Sequence, residues 1–93
     1  MELRDESFRE VVKEGIVLVD FYATWCGPCK MQGEVLKKLE EDIKIVKIDV
    51  DNHEEIAREF GVMSIPTLIL FKDGEVIQKS VGFTPESVIR SWL

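Results

Sequence analysis

Ile16-Val17-Leu18-Val19-Asp20-Phe21-Tyr22-Ala23-Thr24-Trp25-Cys26-Gly27-Pro28-Cys29-Lys30 is the stretch on which the reading of the fold turns. Its first seven residues are apolar, β-branched or aromatic except for Asp20, the composition of a central strand covered on both faces. Pro28 then suits the first position of a helix, where its missing N–H costs nothing. The only two cysteines of the chain, Cys26 and Cys29, therefore fall at a junction between strand and helix.

Outward from that junction the pattern continues to alternate. Met31, Val35, Leu36, Leu39 and Ile43 mark one apolar face of a helix reaching to about Asp42, which Gly33 weakens locally. Ile45 to Val50 predicts a second central strand, and Asp51 or Asn52 caps a short helix with Ile56, Ala57 and Phe60 turned inward and Gly61 at its end. Thr67 to Phe71 is a further strand, and Lys72-Asp73-Gly74-Glu75 is a tight hairpin signal, so Glu75 to Val81 returns antiparallel. Thr84-Pro85 opens a last helix that sends Val88, Ile89, Trp92 and Leu93 towards the sheet. Upstream, Ser7-Phe8-Arg9-Glu10 has the form of a capping box before a short helix ending at Gly15, and a first strand is expected as little more than Glu2 to Arg4.

This order implies an α/β fold: a three-layer α/β/α sandwich whose mixed sheet of four to five strands, with four helices on its two faces, is parallel in the middle and antiparallel at one edge. The 93 residues, 45% hydrophobic and 32% charged, are expected to form a single domain over 1–93, large enough for one core without structural disulfides. A net charge of -6 repels phosphate backbones and anionic lipid, which argues against nucleic acid and membrane as partners. Met1 to Lys13 lacks the apolar segment of a signal peptide, so a cytoplasmic protein is expected, where a close cysteine pair is catalytic or metal-binding more often than structural.

Two cysteines three apart at a helix start can form and break a disulfide without refolding the chain, since that spacing suits the roughly 4.4 to 6.8 Å between Cα atoms that the bond needs. The thiolate is the nucleophile, and unpaired amides at a helix start favour negative charge on the first sulfur over one deeper in the helix. Cys26 is thus expected to be the exposed attacking thiol and Cys29 the resolving one. A metal half-site is the competing interpretation: zinc takes four ligands, and the two cysteines with the single His53 leave the set short within one chain, so a metal-bridged dimer stays open.

Val19-Asp20-Phe21-Tyr22-Ala23-Thr24-Trp25-Cys26-Gly27-Pro28-Cys29-Lys30-Met31, then Ile65-Pro66-Thr67, Lys72-Asp73-Gly74 and Val81-Gly82, resemble the thioredoxin family in order and over nearly the whole chain. The resemblance implies the thioredoxin fold and a protein-disulfide reductase that works by dithiol-disulfide exchange, with no bound cofactor beyond a reversible Cys26-Cys29 disulfide. A low pKa at the first cysteine is a known property of thioredoxins and enters only as an inherited expectation. Asp20 matches the buried aspartate of the family, which helps remove the Cys29 proton, and Lys47 is similar to the strand lysine that modulates it. Pro66 matches a cis proline facing the dithiol. Trp25, Gly27, Pro28, Ile65, Pro66 and Gly82 would bind substrate, in an apolar surface that Val50, Val62 and Phe83 extend.

The implied partners are disulfide-containing proteins and a thioredoxin reductase, and the implied state is a monomer. Gly33-Glu34 departs from the family where many members carry a helix-kinking proline, and Tyr22 stands where tryptophan is common. A disulfide oxidant or isomerase, or an interaction subunit with this fold but no turnover, are the alternatives, because the direction of exchange depends on potentials that a sequence does not contain.

Overall fold

The computed structural model describes residues 1–93. Four helices and four strands follow one another as α1 (Phe8–Val12), β1 (Ile16–Tyr22), α2 (Gly27–Lys37), β2 (Lys44–Asp49), α3 (Glu54–Glu59), β3 (Thr67–Lys72), β4 (Glu75–Val81) and α4 (Glu86–Ser91). The strands form one sheet in the order β2-β1-β3-β4. Side chains alternate across it. Val17, Val19 and Phe21 of β1 pack with Phe8 and Val12 of α1, Ala57 of α3 and Phe71 of β3 on one face. Leu18 of β1 packs with Leu36 of α2, Ile89 of α4, Leu68 and Leu70 on the other. β1 and β3 are shielded from both sides, which explains the unbroken apolar run of β1, while the edge strand β4 is exposed along most of its length.

Only β1 and β2 pair in parallel, with Asp20 opposite Lys47 and Tyr22 opposite Asp49. The expectation of a parallel middle is corrected here: β3 runs antiparallel to β1, Phe21 lying opposite Thr67, and β4 runs antiparallel to β3. A parallel β3 would need a crossover long enough to return the chain to the start of β1. α3 has six residues, a rise of about 9 Å, so the segment leaving β2 stays at the same end of the sheet. β3 must therefore begin where β1 finishes. That constraint carries Pro66 to the end of the sheet that holds the cysteines.

The first segment contributes one isolated parallel bridge, Glu2 to Lys47, instead of a full strand. The β3–β4 hairpin turns at Asp73 and Gly74, with φ of 50° and 86°, the two positive values that a two-residue turn of this twist demands. No helix is long and apolar enough to cross a membrane.

Several local expectations shift. α2 ends at Lys37, not Asp42, because the chain then tightens through Leu39 N–H to Leu36 O and Asp42 N–H to Leu39 O, bonds of three-residue span. Met31 does not belong to its apolar face: it is exposed, and Gln32 is buried in its place. Val88 and Leu93 face solvent, while Ile89 is buried and Trp92 half-buried. α3 is preceded by His53 and α4 by Pro85, each one or more residues later than the cap expected, and Ser7 makes no side-chain cap bond to α1.

Candidate active site

β1 delivers the chain to the end of the sheet, and the turn Ala23–Trp25 leads directly into α2. Cys26 is the residue that caps α2: its sulfur accepts the Cys29 backbone N–H at 3.2 Å. The helix start therefore supplies a donor aimed at the first sulfur, and Cys29, inside the first turn, has no equivalent. The two sulfurs are bonded to each other, with Cα atoms 5.2 Å apart.

Both cysteines are more enclosed than expected, Cys26 at 6% exposure and Cys29 at 3%, which corrects the picture of a freely exposed Cys26. They pack with Ala23, and Tyr22, Val50 and Ile65 close over that cluster. The Cys26 sulfur lies 3.9 Å from the Ile65 carbonyl oxygen. Ile65-Pro66 is a cis peptide bond, and the Pro66 carbonyl accepts the Gly82 N–H at 2.8 Å. Gly82 has φ 87°, a conformation that residues with a Cβ adopt only under strain. The loop of Ile65 and Pro66 thus meets the disulfide, and the loop of Gly82 is tied to it through Pro66.

The residues expected to bind substrate differ in exposure. Trp25 is 70% exposed and is fixed by a bond from its indole N–H to Asp51 at 2.9 Å. Gly27, Pro28 and Phe83 are exposed, Ile65 and Gly82 half-buried, and Pro66 is buried, while Val62 packs against the cluster of Val17, Val19 and Phe21. Met63, 96% exposed and two residues before Ile65, is a further apolar group outside the set expected from the sequence.

Asp20 is fully buried in β1, and neither of its carboxylate oxygens has a hydrogen-bond partner. Burial pushes its pKa up to about 7; Lys47 pulls in the opposite direction and Glu2 adds to the rise. Lys47, opposite Asp20 in the sheet, holds its ammonium 4.6 Å from the centre of the Tyr22 ring. Lys47 and Cys29 line one cleft of about 220 Å³ together with Tyr22, Ala23, Gly33 and Glu34. His53 sits elsewhere, its ring nitrogen 3.1 Å from the Leu3 carbonyl.

Gln32 is the second residue missed. Its side chain accepts the Thr84 N–H at 2.7 Å and donates to the Thr84 carbonyl at 3.0 Å, tying α2 to the loop that carries Gly82. Counting the helix from Cys29 instead of Met31 would have revealed it, since Cys29, Gln32 and Leu36 are the buried positions.

The thioredoxin family model matches residues 1–93. The chain belongs to the thioredoxin family. It is 53% identical to the thioredoxin of Bacillus subtilis over 90 residues, which cover 92% of this chain and 86% of that protein. Its fold superposes on mitochondrial thioredoxin 3 from Saccharomyces cerevisiae in the oxidised form with a TM-score of 0.82 and 43% identity, covering 90% of this chain and 83% of that one. A mutant thioredoxin from Halobacterium salinarum gives 0.83 at 40% identity, covering 88% of this chain and 74% of that one. Family and dithiol together define a thiol-disulfide oxidoreductase of the protein-disulfide reductase type, with Cys26-Cys29 as its redox-active disulfide.

Proposed function

We propose that this thioredoxin reduces disulfides of partner proteins in the cytoplasm, acting as a monomer, and is itself returned to the dithiol state by a thioredoxin reductase. The observation that carries the assignment of roles is the Cys29 N–H directed at the Cys26 sulfur, which favours a thiolate on Cys26 and not on Cys29. The Cys26 thiolate attacks one sulfur of the substrate disulfide, forming a Cys26-substrate bond and releasing the other substrate sulfur as a thiol after it takes up a proton. Asp20 takes the proton from Cys29, whose sulfur then attacks Cys26. The Cys26-Cys29 bond forms and the second substrate thiol leaves, so two electrons pass from protein to substrate. The reductase supplies them back.

Lys47 modulates Asp20 from the neighbouring strand. Trp25, Gly27, Pro28, Ile65, Pro66 and Gly82 receive the substrate as an extended segment, a reading supported by the exposure of Trp25, Gly27 and Pro28 beside Cys26 and by the Ile65 carbonyl 3.9 Å from its sulfur. Replacing Cys29 with Ser is expected to leave Cys26 able to form mixed disulfides that are not resolved, so that protein substrates remain covalently attached until a small thiol is added. Cys26→Ser should attach none. Equal trapping by both variants, or full turnover of a protein disulfide by the double variant, would refute the assignment.

A further inference from the structure

Across the sheet, Glu2, Lys47 and Asp20 stand side by side in register: Glu2 is bridged to Lys47, and Lys47 is paired with Asp20. Partners in register share a face, so a carboxylate, an ammonium and a buried carboxyl form one row. Two contacts hold its outer end. The Tyr22 hydroxyl donates to Glu2 at 2.7 Å, and the ring of the same tyrosine lies under the Lys47 ammonium. The backbone repeats the clamp, with Leu3 N–H bonded to Lys47 O at 2.8 Å and Lys47 N–H to Met1 O at 2.7 Å.

We propose that Glu2, held by the Tyr22 hydroxyl, is a positioning residue of the redox site: it shares the Lys47 ammonium with Asp20 and so sets how readily Asp20 takes a proton. The inference rests on the reading of Asp20 as the proton acceptor for Cys29. Lys47 makes no ion pair with any carboxylate, so its charge is divided between its two neighbours in the row and the aromatic face beneath it. The other groups around this row are Tyr22 on β1, Asp49 on β2 and Cys29 on α2, with Arg4, Asp5 and His53 in the cleft that Glu2 and Tyr22 line and Lys30, Glu34 and Lys37 at the rim of the cleft beside Cys29; Leu68 on β3 and Ile89 on α4 bring no charge. Burial and the Glu2 contact raise the tyrosine above its ordinary pKa, so it remains the donor in that bond.

The test is the titration of the Asp20 carboxyl carbon, followed by NMR in the oxidised protein without substrate. Glu2→Gln keeps an acceptor for Tyr22 and removes the charge, and is expected to lower the Asp20 midpoint by about 0.5, because the Lys47 ammonium is then left to Asp20 alone. Tyr22→Phe, which keeps the ring and frees Glu2 into water, should move it the same way by less. In a Lys47→Met background the Glu2→Gln effect should fall to less than half. An unchanged midpoint in Glu2→Gln overturns the proposal, and so does a shift of equal size with and without Lys47, which would make Glu2 a direct charge and not a positioning residue. Asp20→Asn with undiminished resolution of a Cys26 mixed disulfide would instead sink the role of Asp20 and leave the titration linkage standing.

Discussion

Two buried aspartates on neighbouring strands, Asp20 in β1 and Asp49 at the end of β2, are treated in opposite ways by the fold. Asp49 accepts the Asp51 backbone N–H at 2.9 Å and lies 3.4 Å from the Asn52 side-chain amide, so its carboxyl group orders the turn that leads to α3. Asp20 is more deeply enclosed and receives nothing. A buried carboxylate with donors is a structural element, whereas one without them resists ionisation until its pKa nears neutrality. The first belongs where the chain must turn. The second belongs where a proton must be accepted, because a group with a pKa of about 7 is able both to take and to release one near neutral pH.

The largest effect expected from breaking this contrast is on stability. Asp20 has a folded pKa of about 7 against an ordinary value of 3.8, so between those values the unfolded chain has released a proton that the folded protein retains. Stability is then fully present below about pH 4 and is lost as pH rises to about 7, where the slope ends. About 3 pH units correspond to about 4 kcal/mol. Asp20→Asn is therefore expected to gain roughly 4 kcal/mol over the natural protein at pH 8.5 and little at pH 4, while resolving mixed disulfides more slowly. Urea unfolding of both oxidised proteins across this range checks it; a pH-independent difference would show that Asp20 is not a desolvated acid in the folded state.

How far such a site is readable in advance depends on what each residue needs from its neighbours. Cys26, Pro28 and Cys29 declare themselves by spacing alone, because helix start and dithiol are local features. Asp20 stands out as a carboxylate within an apolar strand, yet its lack of partners is a property of the packed interior and cannot be seen along the chain. The direction of β3 escaped for a related reason. It depends on α3 being too short to cross the sheet, and helix ends are the least legible part of a pattern that varies by a residue or two. Gln32 escaped because its polarity placed it outside the apolar stripe, although its partner Thr84, 52 residues away, makes it a core residue. Trp25 suggests itself as a substrate contact by adjoining Cys26, whereas Gly82 enters only through the family likeness.

Gln32 supplies the second prediction, since it is a buried polar side chain treated like Asp49 and not like Asp20. Gln32→Leu fits the apolar surroundings of Leu36 but strands the Thr84 N–H and C=O, neither of which has another backbone partner. Each buried group left unpaired costs about 1 to 3 kcal/mol, partly offset by the apolar side chain, so a net loss of about 2 kcal/mol is expected in urea unfolding. The loss should not vary between pH 5 and 8.5, in contrast to Asp20→Asn. Because the loop to Gly82 is released from α2, apparent KM for a protein disulfide should rise more than kcat falls. Unaltered stability would mean that the amide is replaceable by packing alone.

The smallest effect belongs to Asp49. Asp49→Ala removes the acceptor for the Asp51 N–H, but that amide is only half-buried and water can replace the lost oxygen. A loss of about 1 kcal/mol is expected, within the range for caps and turn acceptors. The altered turn also carries Asp51, whose carboxylate holds the Trp25 indole, so the loss of order should appear there first. Tryptophan fluorescence of Asp49→Ala should report a looser Trp25 while the Asp20 titration midpoint stays within about 0.2 of its original value, since Asp49 and Asp20 lie on different strands and Lys47 remains in place between Glu2 and Asp20. A shift of the Asp20 midpoint as large as that expected of Glu2→Gln would show that the two aspartates are electrostatically one site, and would erase the distinction between a carboxylate that builds the turn and a carboxyl that accepts the proton.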